Sequence, residues 1–160
     1  MGTNRRDQIS MDPREGRLFL EQGKTIFLAS NGADGYPHLI AMWYALEGDD
    51  VLMTTYRKSQ KVRNLRADDR CTLLLEEGAT YAELKGLFLR GRCEVIDDEE
   101  TTFATLGKVG ARAAGRTPAT LELDEKAADA LRARARKRVT LRFRAEKTRS
   151  WDHRKLGGLY

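Results

Sequence analysis

Residues 51–66, VLMTTYRKSQKVRNLR, join a strand to a helix, and the rest of the chain is organised around this junction. Val51 to Tyr56 is a short run of apolar and β-branched residues, which is typical of a buried strand. From Ser59 the pattern changes, because Ser59 suits a helix N-cap and Val62 and Leu65 recur at helical spacing. The sequence therefore predicts a strand that ends at Tyr56 and a helix that begins at Ser59.

The start of this helix carries an unusual concentration of basic residues, Arg57, Lys58 and Lys61. The first turn of a helix has free N–H groups and a partial positive charge, so each cation there costs a few tenths of a kcal/mol, roughly. Free N–H groups flanked by ammonium and guanidinium groups suit a phosphate. A solvated basic surface helix is the alternative, and this segment alone leaves both interpretations open.

Strands are predicted on both sides of the junction. Upstream, residues 24–30, 36–46 and 51–56 are linked by turns and predict an antiparallel meander. Downstream, residues 70–76, 84–96 and 139–145 are predicted strands, and the last of them alternates strictly between apolar and polar residues. Further helices are predicted over residues 13–22, 97–113 and 124–136. The pattern predicts a mainly β fold, a six-stranded antiparallel barrel with peripheral helices.

Composition bounds the class of protein. The chain has 160 residues, of which 41% are hydrophobic and 33% charged, as in one globular domain with a real core. It contains no apolar run of about 18 residues and begins with a polar segment, so we expect no membrane association and a cytoplasmic location. The expected organisation is a flexible N-terminus over 1–10, a barrel domain over 11–147 and a C-terminal tail over 148–160.

The net charge of +5 is unevenly distributed, since basic residues concentrate in 57–70 and 132–149. Such asymmetry favours an anionic ligand or partner, although solubility alone could explain it. Nucleic-acid binding is not expected, because stacking aromatics are sparse in 132–149 and its apolar residues are needed for the core.

Few residues are available for side-chain chemistry. Cys71 and Cys93 lack metal-binding spacing and are predicted to be buried reduced thiols, and no metal site is expected. His38 is a weak candidate for a catalytic proton donor, with a hydrogen-bonded structural role as the alternative. Ring and charged groups also crowd the C-terminal tail, which could fold over a site or remain partly ordered: Trp151, His153, Arg154 and Lys155.

The order of elements and three motifs resemble the split β-barrel flavin and deazaflavin oxidoreductases related to pyridoxamine 5′-phosphate oxidase. The motifs are Asp34 to His38 leading to Met42-Trp43, then Arg57 to Arg66 with its core over 61–66, then Arg70 to Leu75. The resemblance spans roughly residues 12–146 and implies a split β-barrel of the FMN-binding type. It also implies a homodimer with two cofactor sites at the subunit interface.

Carried over position by position, the resemblance implies three groups of cofactor-binding residues. The phosphate-binding group would be Arg57, Lys58, Ser59 and Lys61. The residues lining the isoalloxazine ring would be Met42, Trp43, Thr54 and Thr55, although a Met-Trp-Tyr run in a strand is also common in protein cores. Tyr81 would be lent from the partner subunit.

The implied cofactor is coenzyme F420 or FMN, and the implied reaction is hydride transfer to a small organic substrate. The cofactor would supply the hydride chemistry, so no catalytic side chain is required. Because F420 carries an acidic oligoglutamate tail, the basic charge leans slightly towards F420. The alternative is a protein that binds a flavin, a deazaflavin or haem without turnover. Oxidation of vitamin B6 is not expected, because the C-terminal substrate motifs of the true pyridoxamine-phosphate oxidases are missing.

Overall fold

A computed structural model describes residues 5–116 and 123–157 and shows a mainly β fold. The helices are α1 (Arg5–Ile9), α2 (Pro13–Gln22), α3 (Gln60–Ala67), α4 (Glu99–Ala113) and α5 (Glu125–Ala135). The strands are β1 (Thr25–Asn31), β2 (Pro37–Trp43), β3 (Ala45–Glu47), β4 (Asp50–Tyr56), β5 (Arg70–Glu77), β6 (Lys85–Ile96) and β7 (Arg138–Asp152). Short 3-10 helices follow β5 and β7, at Tyr81–Glu83 and His153–Leu156.

All seven strands belong to one antiparallel sheet in the order β2-β1-β5-β6-β7-β4-β3. The two strands at the ends of this order, β2 and β3, are consecutive in the chain and are separated only by Tyr44. The ends of the sheet therefore meet, and the sheet curls into a split barrel of the predicted type.

The predicted count of six strands was wrong because the expected strand over 36–46 breaks at Tyr44. Its first part pairs with β1 and its second part with β4, so the predicted continuous meander is interrupted. The Tyr44 ring is buried, and its hydroxyl donates to the carbonyl oxygen of Leu20 at 2.6 Å. The Arg112 guanidinium lies 4.5 Å from the centre of the same ring. A tyrosine anchored in this way turns the chain from one end of the sheet to the other.

The last strand is longer than predicted and continues to Asp152 instead of ending at Ala145. Its second half pairs with β6, after a register shift between Arg90 and Gly91. Charged side chains occupy most of residues 144–149, and they hide the strand from a search for apolar alternation. A Cβ on Gly91 would overlap the carbonyl oxygen of Arg144, so glycine is required where the two strands approach at the bulge.

The core fills the inside of the barrel with residues that alternate along the strands, among them Ile26, Leu28, Met53, Leu73 and Leu141. Helix α4 covers the opposite face of β4 and β7, where Leu52 and Thr140 are also buried. Both faces of these two strands are therefore packed around the pair formed by Met53 and Leu141.

Cys71 and Cys93 are buried and unbridged, as predicted. Among the described residues, no group of three or more His, Cys, Asp or Glu side chains could hold a metal ion. No helix in residues 5–116 or 123–157 has the length and apolarity needed to cross a membrane.

Candidate anion and cofactor site

The start of α3 gathers three polar side chains from the sequence-predicted site. Ser59 occupies the N-cap position, as predicted, but its hydroxyl does not cap the helix. The Ser59 Oγ instead lies 3.4 Å from Thr55 Oγ1. The Lys61 ammonium donates to the same Thr55 oxygen at 3.0 Å. The first N–H groups of a helix have no partner within it. The start of α3 therefore combines free backbone donors with one ammonium and two hydroxyl groups.

The electrostatics of this cluster favour an anion. Burial lowers the pKa of Lys61, and the nearby positive charge of Arg138 lowers this pKa further. Arg138 is the first residue of β7 and pairs with Tyr56, and its guanidinium lies 4.2 Å from the centre of the Tyr56 ring. Among the described residues, neither Lys61 nor Arg138 has a carboxylate within ion-pair distance. Two neighbouring, partly buried cations without a counterion would be stabilised by a bound anion.

The charge of Arg57, unlike that of Lys61, is already compensated by a carboxylate. The Arg57 Nε donates to Asp97 Oδ1 at 2.8 Å, and its Nη1 donates to the carbonyl oxygen of Arg136 at 3.0 Å. The second oxygen of Asp97 accepts from Arg66 at 2.9 Å. Lys58 is exposed at the turn before α3. The structure therefore brings Ser59 and Lys61 together and ties Arg57 to a carboxylate.

The ring-binding residues predicted on β4 lie on opposite faces of the strand. Thr55 faces Lys61, whereas Thr54 pairs with Thr140 on the face covered by α4. The Thr140 hydroxyl in turn lies 3.4 Å from the hydroxyl of Thr102 on α4. Strand alternation thus separates the two threonines, and within one chain only Thr55 faces the α3 site.

Met42 and Trp43 are separated by the same alternation on β2. Met42 is 9% exposed and belongs to the core, whereas Trp43 is 61% exposed on the outer face of the sheet. The two residues therefore cannot line one surface within a single chain.

His38 contributes a buried nitrogen near α3. It pairs with Ser30 across the β1–β2 ladder, and its Nδ1 has no hydrogen-bond partner among the described residues. The Ser30 hydroxyl accepts from the side-chain Nδ2 of Asn64 at 3.1 Å, and the side-chain Oδ1 of Asn64 accepts from the Gln60 side chain at 2.7 Å. Polar groups thus connect the strand opposite His38 to the first turn of α3. A buried polar atom without a partner is costly, so a ligand bearing a polar group at this place would fit the site.

Tyr81 lies far from this cluster within its own chain. Its ring packs edge-on against His153 with centroids 4.7 Å apart, and its carbonyl oxygen lies 3.0 Å from His153 Nδ1. Thr55 pairs with Val139 near the start of β7, whereas His153 follows the end of this 15-residue strand. At about 3.3 Å per residue the strand between these two positions has a length of about 45 Å along the chain, so Tyr81 and the α3 site lie towards opposite ends of β7.

The described part of the C-terminal tail packs on the N-terminal part of the chain. Arg154 pairs with Asp152 at 2.9 Å, and the Lys155 ammonium contacts the carboxylate of Glu15 at 2.6 Å. Beside this contact lies a groove of about 1120 Å³ between α1, α2, β6 and β7, lined in part by Trp151 and His153. The tail thus borders a groove that is separate from the α3 site.

An apolar surface spans the outside of four neighbouring strands. The register aligns Ala41, Phe27, Leu74 and Phe88 on β2, β1, β5 and β6. Leu39 and Trp43 flank this row and are 63% and 61% exposed. We call these six residues the outer apolar face. In a single chain Leu39, Ala41 and Trp43 are exposed and Phe27, Leu74 and Phe88 are partly exposed, and Phe88 also lines the groove beside α1 and α2.

Sequence reasoning missed Arg138, Asp97 and the pair formed by Ser30 and Asn64. Arg138 belongs to a basic run that was recognised, but the pairing that brings it to Tyr56 spans more than eighty residues of sequence. No local pattern signals such a contact.

Comparison with known proteins gives a consistent family and fold. A family model described as pyridoxamine 5′-phosphate oxidase matches residues 13–152. The structure of a conserved hypothetical protein from Mycobacterium tuberculosis is 37% identical, with a TM-score of 0.85, and the match covers 99% of this chain and 95% of that chain. A protein described as an F420 reductase is 27% identical, with a TM-score of 0.62 and coverage of 82% and 94%. The haem storage protein HutZ from Vibrio cholerae is 16% identical, with a TM-score of 0.63 and coverage of 84% and 90%, and shares the fold. No curated protein matches the chain.

Proposed function

The chain belongs to the pyridoxamine 5′-phosphate oxidase family, and from that premise we propose that it is an oxidoreductase that binds coenzyme F420 or FMN. It would act as a homodimer and transfer a hydride to a small organic substrate. The observation that carries this proposal is the partly buried Lys61 ammonium at the start of α3, which donates to the Thr55 hydroxyl but has no counterion among the described residues.

The phosphate group of the cofactor would lie at the start of α3. Lys61 would supply a charge, Ser59 and Thr55 hydroxyl groups, and the first turn backbone N–H donors. Lys58 is exposed beside this position and would add positive charge. Arg57 would act while held by Asp97, either through its remaining N–H groups or by fixing the turn before the helix.

The cofactor ring would extend from this phosphate towards β2. Met42, Trp43, Thr54 and Tyr81 remain proposals for ring contacts, and because they are separated within one chain we propose that two subunits contribute them. His38 would offer a buried nitrogen that can hold or accept a proton beside the ring. A bound flavin or deazaflavin supplies the hydride acceptor and donor, while the protein orients it and excludes water.

The outer apolar face supports the homodimer. A contiguous apolar surface of this kind on a folded chain marks an interaction site, and a self-complementary contact of two such faces is the commonest solution for an oligomer. A dimer would also supply the second Tyr81. We expect Leu39→Glu to convert the dimer to a monomer in size-exclusion chromatography with light scattering, because a carboxylate would be buried at the contact. Leu18→Glu is the matched control, since Leu18 is 53% exposed on α2, away from this face. A dimer that persists in Leu39→Glu would refute this interface.

Two observations favour F420 as the first cofactor to test. The F420 reductase is the 27% identical structure. In addition, Arg90 and Lys147 are direct neighbours in the β6–β7 ladder, with Arg149 further along the same surface. All three side chains are exposed, and such a basic surface would attract the acidic tail of F420.

The test is a fluorescence titration of the purified protein with F420 and separately with FMN at fixed ionic strength. We expect tight binding of at least one cofactor, and a loss of about 10- to 100-fold in affinity for Lys61→Met, because a charge-assisted hydrogen bond is removed. Lys126→Met, on the exposed side of α5, controls for the change in net charge. Binding of neither cofactor would refute the proposal. Binding without reduction of any conjugated substrate by the reduced cofactor would instead favour a carrier or storage protein.

A further inference from the structure

We propose that Arg138 is a second phosphate-binding residue of the α3 site. Its guanidinium would bind phosphate oxygens from the side opposite Lys61. This inference rests on the proposed function, and it assigns a binding role to a residue from the far end of the sequence. It also predicts that the site recognises the phosphate with two cations, one on each side of the junction between β4 and α3.

The ladder geometry brings Arg138 to this junction. Arg138 pairs with Tyr56, and the next pair joins Val139 to Thr55, whose hydroxyl accepts from Lys61. The Tyr56 carbonyl accepts from the Ser59 N–H at 3.0 Å and so begins the turn into α3. Tyr56, which pairs with Arg138, is therefore the residue at which the turn into the anion site begins.

The charge environment of Arg138 differs from that of three other arginines in the basic run. Arg132, Arg136 and Arg142 each contact a carboxylate, on Glu100, Glu99 and Glu47 respectively. Arg138 instead lies over the Tyr56 ring, and among the described residues no carboxylate approaches it within 4.0 Å. The charges of Arg132, Arg136 and Arg142 are thus neutralised, whereas the charge of Arg138 beside α3 is not.

The contact with Tyr56 also prepares the guanidinium for a ligand. Stacking on a ring fixes the plane of the group but uses none of its five N–H donors. A guanidinium held in this way can bind two oxygen atoms of a phosphate through two parallel N–H donors, a planar fork that an ammonium lacks. The mutual repulsion of Arg138 and Lys61, which contributes to the lowered pKa of Lys61, would be relieved by a phosphate between them.

Isothermal titration with F420, FMN and inorganic phosphate tests this assignment on three full-length variants. We expect Arg138→Gln to weaken the binding of whichever ligand the wild type binds by about 10- to 100-fold. Arg138→Lys should retain part of the affinity, because it keeps the charge but loses the fork. Lys137→Gln removes the same charge from the adjacent exposed position and should bind like the wild type.

The outcomes separate this inference from the proposed function. An affinity of Arg138→Gln within twofold of the wild type would overturn the assignment while leaving the cofactor proposal intact. Loss of phosphate binding in Arg138→Gln, when the wild type binds phosphate but neither cofactor, would support Arg138 and refute the cofactor. If Arg138→Gln fails to fold, Arg138→Lys decides, since affinity equal to that of the wild type would contradict a bidentate contact. A wild-type protein that binds none of the three ligands would overturn both proposals.

Discussion

Substitution of Gly86 by alanine should destabilise the protein by displacing Trp151. The two residues are direct neighbours in the β6–β7 ladder, and the indole lies across the Gly86 backbone. An added Cβ would overlap the ring, and even the third nearest ring atom, Trp151 Cη2, would be only 2.6 Å away. Overpacking of this kind costs about 2 kcal/mol in the free energy of unfolding. For a chain of this size that corresponds to a loss of about 4 to 8 °C in Tm.

A double-mutant cycle isolates this cause. We expect Gly86→Ala to be nearly neutral in a Trp151→Ala background, because the clash is absent there, so the two substitutions should couple by about 1 to 2 kcal/mol. Thermal unfolding followed by circular dichroism measures each Tm. The chain has two tryptophans, and Trp43 is already exposed, so displacement of Trp151 should also be visible as a red shift in fluorescence. An equal cost of Gly86→Ala in both backgrounds would refute the steric explanation and point to backbone strain.

Two further predictions concern contacts that hold the fold. Arg112→Met should lower the free energy of unfolding by about 1 to 3 kcal/mol, because the guanidinium donates to the carbonyl oxygens of Leu20 and Gly23 at 2.7 and 2.6 Å at the end of α2. Chemical denaturation measures this free energy. An unchanged midpoint and slope would contradict the prediction. The hydrogen bonds that Arg70 donates to Asp68 hold the pKa of the Asp68 carboxyl below its ordinary value of 3.8. The ionised carboxylate therefore stabilises the folded protein above about pH 4, and this stabilisation is lost as the pH falls towards the lower pKa of the folded state. Asp68→Asn should therefore flatten the decline of Tm below pH 4, and a decline as steep as that of the wild type would argue that other carboxylates control acid unfolding.

The strands with clear alternation could be predicted from the sequence, and those with charged or bent segments could not. Residues 70–76 and 84–96 predicted β5 and β6 nearly to the residue, the first from its alternation and the second from its length. The end of β7 was missed because charged residues occupy its exposed half. The break at Tyr44 was missed because a buried tyrosine within an apolar run looks like a continuous strand until its hydroxyl partner is known.

The site shows the same division between local and distant information. The N-cap position of Ser59 and the basic start of α3 follow from neighbouring residues, and the structure has α3 where they predict it. The opposite orientations of Thr54 and Thr55 follow from strand alternation and were available in the sequence. The neutralisation of Arg57 by Asp97, by contrast, depends on a contact across forty positions, which no periodicity encodes.

The single residue between β2 and β3 has a consequence for how the barrel is held shut. Among residues 5–116 and 123–157, each of these strands has a ladder partner on one side, β1 for the first and β4 for the second. Between β2 and β3 this seam of the barrel is thus closed by the covalent chain, whereas the other neighbouring strands are joined by hydrogen bonds. Proteolytic cleavage or a flexible insertion at Tyr44 would leave every strand pair of the described residues intact, and side-chain packing in the core would then be left to join the two ends of the sheet. The integrity of the barrel at this seam therefore depends on chain continuity more than on pairing energy.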